Sequence, residues 1–191
     1  KLAEESDLKN AIRKQFEGEK INKSENRAVL HSAIRSSKKN KIYVDGENII
    51  PAIKNSREKI KSFTNDIISG EIKGFTNKKI TDIVNIGIGG SDLGPTMVVE
   101  ALKYYRSRLN PHFISNVDGD HVIEILKKLN PESTLFIIVS KSFATHETIT
   151  NAKLVRKWLK NKLGANSVKN HFVAVSSNIE KVKKFGINEH Y

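Results

Sequence analysis

With 191 residues, the chain is long enough for one domain with a substantial core and a smaller appendage, and short for two full domains. It has no cysteine, no apolar run long enough to span a membrane and no charged-then-apolar leader, which argues against disulfides, a membrane anchor and a secretory signal and for a cytoplasmic protein. Lys+Arg 33 against Asp+Glu 21 gives a net charge of +12, a field that attracts polyanions or a phosphorylated metabolite; but scattered lysines such as Lys41, Lys160 and Lys162, without an arginine stripe or interleaved aromatics, read as solvated faces and predict no nucleic-acid partner.

The chain opens at Lys1 and stops at Tyr191 just after a helix-like pattern, so it reads as a piece of something longer. Leu2, Leu8, Ile12 and Phe16 among charges predict a helix over residues 1–16, ended by Gly18. A second helix is expected from Ser24, as N-cap, through Ala28, Val29, Leu30, Ala33 and Ile34, with His31 as a buried structural histidine. Asp45-Gly46 between two short β-prone segments is the type I′ hairpin signal. Pro51 then starts a helix through Ile53, Ile60, Phe63 and Ile67, closed by Gly70.

From there apolar strands alternate with amphipathic helices. Ile83, Val84, Ile86 and Ile88 form a strand covered on both faces, followed by a glycine turn and a helix with Pro95 near its start, where the missing N–H costs nothing. Residues 112–117 form the next strand, leading through Asp118 and Gly119 to a helix carrying Val122, Ile125, Leu126 and Leu129. Residues 134–140 precede a long helix through Ile149, Ala152, Val155, Leu159 and Leu163. Residues 171–177 lead to Asn178, a good N-cap, and a helix ending before Gly186. Four such units predict an α/β fold with a doubly wound, mostly parallel sheet, in which ligands sit beyond the carboxyl ends of the strands. The division expected is an N-terminal helical extension and hairpin, residues 1–48, and an α/β domain, residues 49–191.

The turn after the first strand of this series is the first candidate site. Gly87, Gly89 and Gly90 let the backbone turn sharply and let a ligand reach the main chain, and a helix N-terminus aimed at such a turn is a seat for phosphate. Three familiar motifs do not fit. Pro95 stands where a P-loop needs lysine, Asp92 where a dinucleotide fingerprint needs its third glycine, and Leu93 where a nucleophile elbow needs its last glycine. Ser91 is therefore not read as a nucleophile, and Asp118 as a ribose ligand gives nicotinamide binding only weak support. Glycines that merely close the turn remain the alternative. The second candidate is Ser140 to Thr150, where Ser140, Ser142, Thr145 and Thr148 gather at the carboxyl edge of a strand with Lys141 among them. Capping accounts for one or two of these hydroxyls; four exceed what one helix start requires and favour an oxyanion site.

The sequence resembles the glucose-6-phosphate isomerases over nearly its whole length. EKINKSENRAVLHSAIR (19–35), IYVDGENIIP (42–51), VNIGIGGSDLGP (84–95), SNVDGDHV (115–122), IIVSKSFATHETITNA (137–152) and HFVAVSSNIEKVKKFGI (171–187) follow in the family's order. The resemblance implies a sugar isomerase (SIS) domain, preceded by a helical extension, and interconversion of glucose 6-phosphate and fructose 6-phosphate through an enediol, with no cofactor, as a homodimer. It places Gly90 and Ser91 against the sugar phosphate, and Ser140, Lys141, Ser142 and Thr145 around its phosphoryl group, with Thr148 a weaker member. Ala144, where threonine is common, and His146, where glutamine is usual, depart from the pattern. The family's catalytic glutamate, histidine, lysine and arginine would all fall after Tyr191, so this chain is expected to hold no catalytic residue and to be inactive alone; Glu124, Glu147 and His146 are not substitutes. The alternative is a non-catalytic SIS module that senses sugar phosphates.

Overall fold

A computed structural model describes residues 1–36 and 40–187. The chain forms two compact units, Lys1–Ser62 and Phe63–Tyr191. In the first, α1 (Leu2–Glu5) and α2 (Leu8–Glu17) are separated at Asp7, which takes a left-handed conformation, and Gly18 ends α2 in the same region. The apolar stripe is there, but Leu8, Ile12 and Phe16 stay largely exposed.

The helix expected from Ser24 does not form there. The Asn22 side chain accepts from the Ser24 hydroxyl and the Glu25 N–H, and Asn22 and Arg27 pair as a β-bridge. An Asn carboxamide that captures the local N–H groups closes a turn in place of a helical start. Helix α3 is only His31–Arg35, and His31 is exposed, not buried. Strands β1 (Tyr43–Val44) and β2 (Glu47–Asn48) pair around Asp45 and Gly46, both at positive φ, as the hairpin signal predicts. Helix α4, Ile50–Ser69, ends at Gly70.

The second unit is built on four parallel strands, β3 (Asp82–Ile86), β4 (Asn110–Ile114), β5 (Thr134–Val139) and β6 (Phe172–Val175), in the order β4-β3-β5-β6. The strand order reverses between β3 and β5, which makes the crevice at their carboxyl ends the topological switch point. Helices α5 (Gly90–Ala101), α6 (Gly119–Leu126), α7 (His146–Leu163), α8 (Val168–His171) and α9 (Ile179–Phe185) complete the unit. One face of the sheet, with Val84, Ile86, Ile114, Phe136 and Ile138, packs on Val122 and Leu126 of α6 and Ala152, Val155 and Leu159 of α7. On the other face Ile83, Leu135 and Val173 meet Phe63 and Ile67 from the last turns of α4. Full burial of each such aliphatic side chain contributes about 1.5–3 kcal/mol, so the sheet is the rigid frame from which the loops project. Among the described residues no helix is long and apolar enough to cross a membrane.

Several boundaries differ from expectation: β3 ends at Ile86, before Ile88, and β6 is confined to Phe172–Val175, with His171 in α8. β4 starts two residues early and includes Pro111, which an edge strand tolerates because one side of it needs no ladder bond; Ser115 to Val117 lie beyond its end. Pro95 sits inside α5 and not at its first position. Its missing N–H leaves the Ser91 carbonyl without a helical partner, and Asn85 of β3 donates to that oxygen from 3.1 Å.

Arg108 closes the end of α4. Its guanidinium donates to the carbonyls of Ile67 (2.7 Å) and Ile68 (3.2 Å) in the last turn, and to that of Ile80 beyond the helix, adding to the Gly70 N–H that also serves Ile67. Arg108→Lys cannot reproduce the fork, and urea unfolding is expected to show a loss of about 1–2 kcal/mol. An unchanged midpoint would mean that water serves those carbonyls equally well.

Candidate functional site

The register pairs Ile86 of β3 with Ile138 of β5, so the loops that follow them, Gly87 to Gly89 and Ser140 to Thr145, leave neighbouring strand ends. Both carry the candidate residues.

The first loop makes a tight turn into α5. Gly89 adopts φ 59°, ψ −124°, a region open essentially to glycine alone. Gly87 is buried, and a Cβ on it would lie 2.5 Å from the Ser91 carbonyl oxygen. Gly90 is exposed and Ser91 half-buried in the first turn of α5. No side chain caps this helix.

The second loop begins with a turn closed by Phe143 N–H to Ser140 O at 3.1 Å. Lys141 and Ser142, its central residues, are not at positive φ, so it is a type I turn. Phe143 follows at φ 49°, a conformation that costs a bulky residue on the order of 1–3 kcal/mol. Burial holds it there: its ring stands edge-on to Phe185 at 5.7 Å and joins the main core. With Phe143 turned inward, Lys141, Ser142 and Thr145 on either side are exposed. Ser140 is buried, its hydroxyl 3.3 Å from that of Thr145. Thr145 occupies the N-cap position of α7 yet makes no side-chain cap bond.

Helices α5 and α7 thus both begin at the switch-point crevice without a side-chain cap, whereas α6 and α9 are capped by Asp118 and Asn178. Asp118 accepts from the Asp120 N–H and serves as the helix cap of α6. Thr148 is buried in the first turn of α7, and its hydroxyl has no hydrogen-bond partner. Glu124 is exposed and bonded to Lys127, which holds its carboxyl below the usual range, so it is placed as a surface ion pair and not as a base.

Sequence reasoning missed the residues that hold these loops from behind. Asn85 fixes the first turn of α5, and Asn151 of α7 donates to the Asn116 carbonyl at 2.9 Å, tying α7 to the loop after β4. The signal available was a polar residue at an apolar position, Asn85 within Ile83-Val84-Asn85-Ile86 and Asn151 beside Ala152 on the buried face of α7.

Comparison with known proteins places this arrangement. The chain is 56% identical to glucose-6-phosphate isomerase of Christiangramia forsetii over 98% of its length and 34% of that relative. It is 58% identical to the enzyme of that name from Wigglesworthia glossinidia brevipalpis, over 98% of the chain and 34% of the relative. Among solved structures, a glucose-6-phosphate isomerase from Chlamydia trachomatis superimposes with a TM-score of 0.75 at 31% identity, over 92% of this chain and 33% of that one. A hypothetical protein from Thermus thermophilus superimposes with a TM-score of 0.57 at 27% identity, over 70% of this chain and 31% of its own. The chain therefore spans about a third of the length of the curated relatives it matches. A model of one family, phosphoglucose isomerase, matches residues 1–191 throughout, and the chain belongs to that family.

Proposed function

We propose that these residues are the phosphate-holding part of an enzyme that interconverts glucose 6-phosphate and fructose 6-phosphate, acting in the cytoplasm as a homodimer built on SIS domains. The observation that carries the reading is the pair of helix N-termini, α5 and α7, that begin uncapped at adjacent strand ends beside the hydroxyls of Ser91, Ser142 and Thr145. Two helix dipoles favour a doubly charged anion there, and the basic chain adds a favourable field. Gly90, Ser91, Ser140, Lys141, Ser142 and Thr145 form the cradle, and Thr148 supports it from the buried side. The proton moved between C1 and C2 needs a positioned general base, which this reading assigns to residues outside 1–191. A sensor of sugar phosphates would share the cradle and lack turnover.

Titration calorimetry on the intact gene product, with 6-phosphogluconic acid as probe, tests the cradle. A hydrogen bond to a charged oxygen is worth about 1.5–3 kcal/mol, so Thr145→Val, which deletes one hydroxyl and roughly keeps shape, should weaken binding tenfold or more. Ser107→Ala, at an exposed position, should bind as the wild type does. Equal affinity for Thr145→Val and wild type would remove Thr145 from the cradle.

A further inference from the structure

The loop after β6 reaches across to the second candidate loop at one atom. The Lys141 carbonyl oxygen accepts from Ser176 Oγ at 3.0 Å, Ser177 Oγ at 2.8 Å and the Ser177 N–H at 2.9 Å. Just before it, the Ser140 N–H donates to the Val175 carbonyl at 3.1 Å, so the parallel pairing of β5 with β6 continues beyond the last residues of both strands. The two backbone bonds are what a lengthened ladder provides. The two hydroxyl bonds are additional, and a carbonyl with two lone pairs is thereby more than satisfied.

Planarity gives this clamp a consequence on the opposite side. The peptide joining Lys141 to Ser142 is trans, so its C=O and N–H point in opposite directions. β5 lies between β3 and β6. A carbonyl drawn toward the β6 loop therefore turns the Ser142 N–H toward the β3 side, where the glycine turn opens and α5 begins. Among the described residues that N–H donates no hydrogen bond.

We propose that Ser176 and Ser177 are positioning residues for the anion site: by holding the Lys141 carbonyl they aim the Ser142 N–H into the crevice as a donor to the phosphoryl oxygens. The inference rests on the proposed cradle and adds to it a donor, and the residues that orient that donor. Neither serine touches the bound anion; both act through one peptide plane.

The test compares the wild type with Ser176→Ala/Ser177→Ala and with Ser177→Thr in the intact gene product, again with 6-phosphogluconic acid. Both serines lie at or near the surface, so the double variant should fold with nearly the wild-type melting temperature. Its affinity should fall about tenfold, the loss of one amide bond to a charged oxygen, and Ser177→Thr, which keeps the hydroxyl, should bind nearly as wild type. In amide-resolved spectra the Ser142 resonance should shift on adding the probe to the wild type and shift much less in the double variant. Wild-type affinity in the double variant, alongside weakened Thr145→Val, would overturn the positioning role and leave the cradle standing. A Ser142 resonance that ignores the probe while neighbouring residues respond would do the same. Absence of binding by the wild type would sink the cradle, and the positioning role with it.

Discussion

Gly87→Ala is expected to lose about 3 kcal/mol or more of stability and to reduce sugar-phosphate affinity about a hundredfold or more. The added Cβ would lie 2.5 Å from the Ser91 carbonyl oxygen and 2.9 Å from its carbon. These are backbone atoms, so no rotamer change relieves the overlap. The Ser91 carbonyl cannot simply step aside, because Asn85 holds it from β3, while the Gly87 N–H is itself bonded to the Ile114 carbonyl. Relief requires the first turn of α5 to shift, and Gly90 and Ser91 move with it. Gly119→Ala is the control from the next unit: it is the first residue of α6, with nothing within 4 Å of its added Cβ, and should be neutral or slightly stabilising. Denaturant unfolding and calorimetry on both variants read the two effects separately. Wild-type binding by Gly87→Ala would show that the turn is tighter than the site requires.

The β-α alternation was legible because the central strands β3 and β5 are buried on both faces and each helix carries a regular apolar stripe, as Val122 and Leu126 do for α6. Adjacency of the first and third units made the two candidate loops neighbours, a placement the sequence could pose only as a condition. What local pattern did not contain is which polar group satisfies which backbone atom. Ser24 looks like a helix cap until Asn22 takes its hydroxyl. Pro95 looks like a first-turn residue until Asn85 is seen to replace the hydrogen bond that the proline removes. Phe143 stands in the sequence as one apolar residue among hydroxyls, yet its left-handed backbone and inward ring separate buried Ser140 from exposed Ser142 and Thr145. In each case the deciding partner belongs to another segment or depends on backbone geometry, and spacing along the chain carries neither.

The second large effect expected is on stability at acid pH, through His171. This side chain is fully buried. Its Nδ1 lies 2.7 Å from the Thr134 carbonyl, and its Nε2 accepts the Phe75 N–H at 2.9 Å. These partners select one neutral tautomer, with the proton on Nδ1. Protonation would place a second proton on Nε2, facing a donor, inside an apolar surround. Burial accordingly pushes the pKa of His171 below its ordinary value of 6.5, the Thr134 carbonyl opposing it more weakly. The unfolded chain binds the proton more readily than the folded one, so stability rises with pH: this contribution is complete above about pH 6.5 and is lost as pH falls from there toward the folded-state pKa, by at most about 1.4 kcal/mol per pH unit. His171→Gln, which offers an amide donor and a carbonyl acceptor without titrating, removes that slope. Urea unfolding between about pH 7.5 and pH 5, a window that spans the ordinary histidine range, should show wild type losing stability faster than the variant. His171→Ala, which leaves the Phe75 N–H and the Thr134 carbonyl without partners and opens a cavity, should cost about 3 kcal/mol or more at neutral pH. Parallel pH profiles for wild type and His171→Gln would mean that the buried ring accepts its proton as easily as a solvated one, which its two hydrogen bonds oppose.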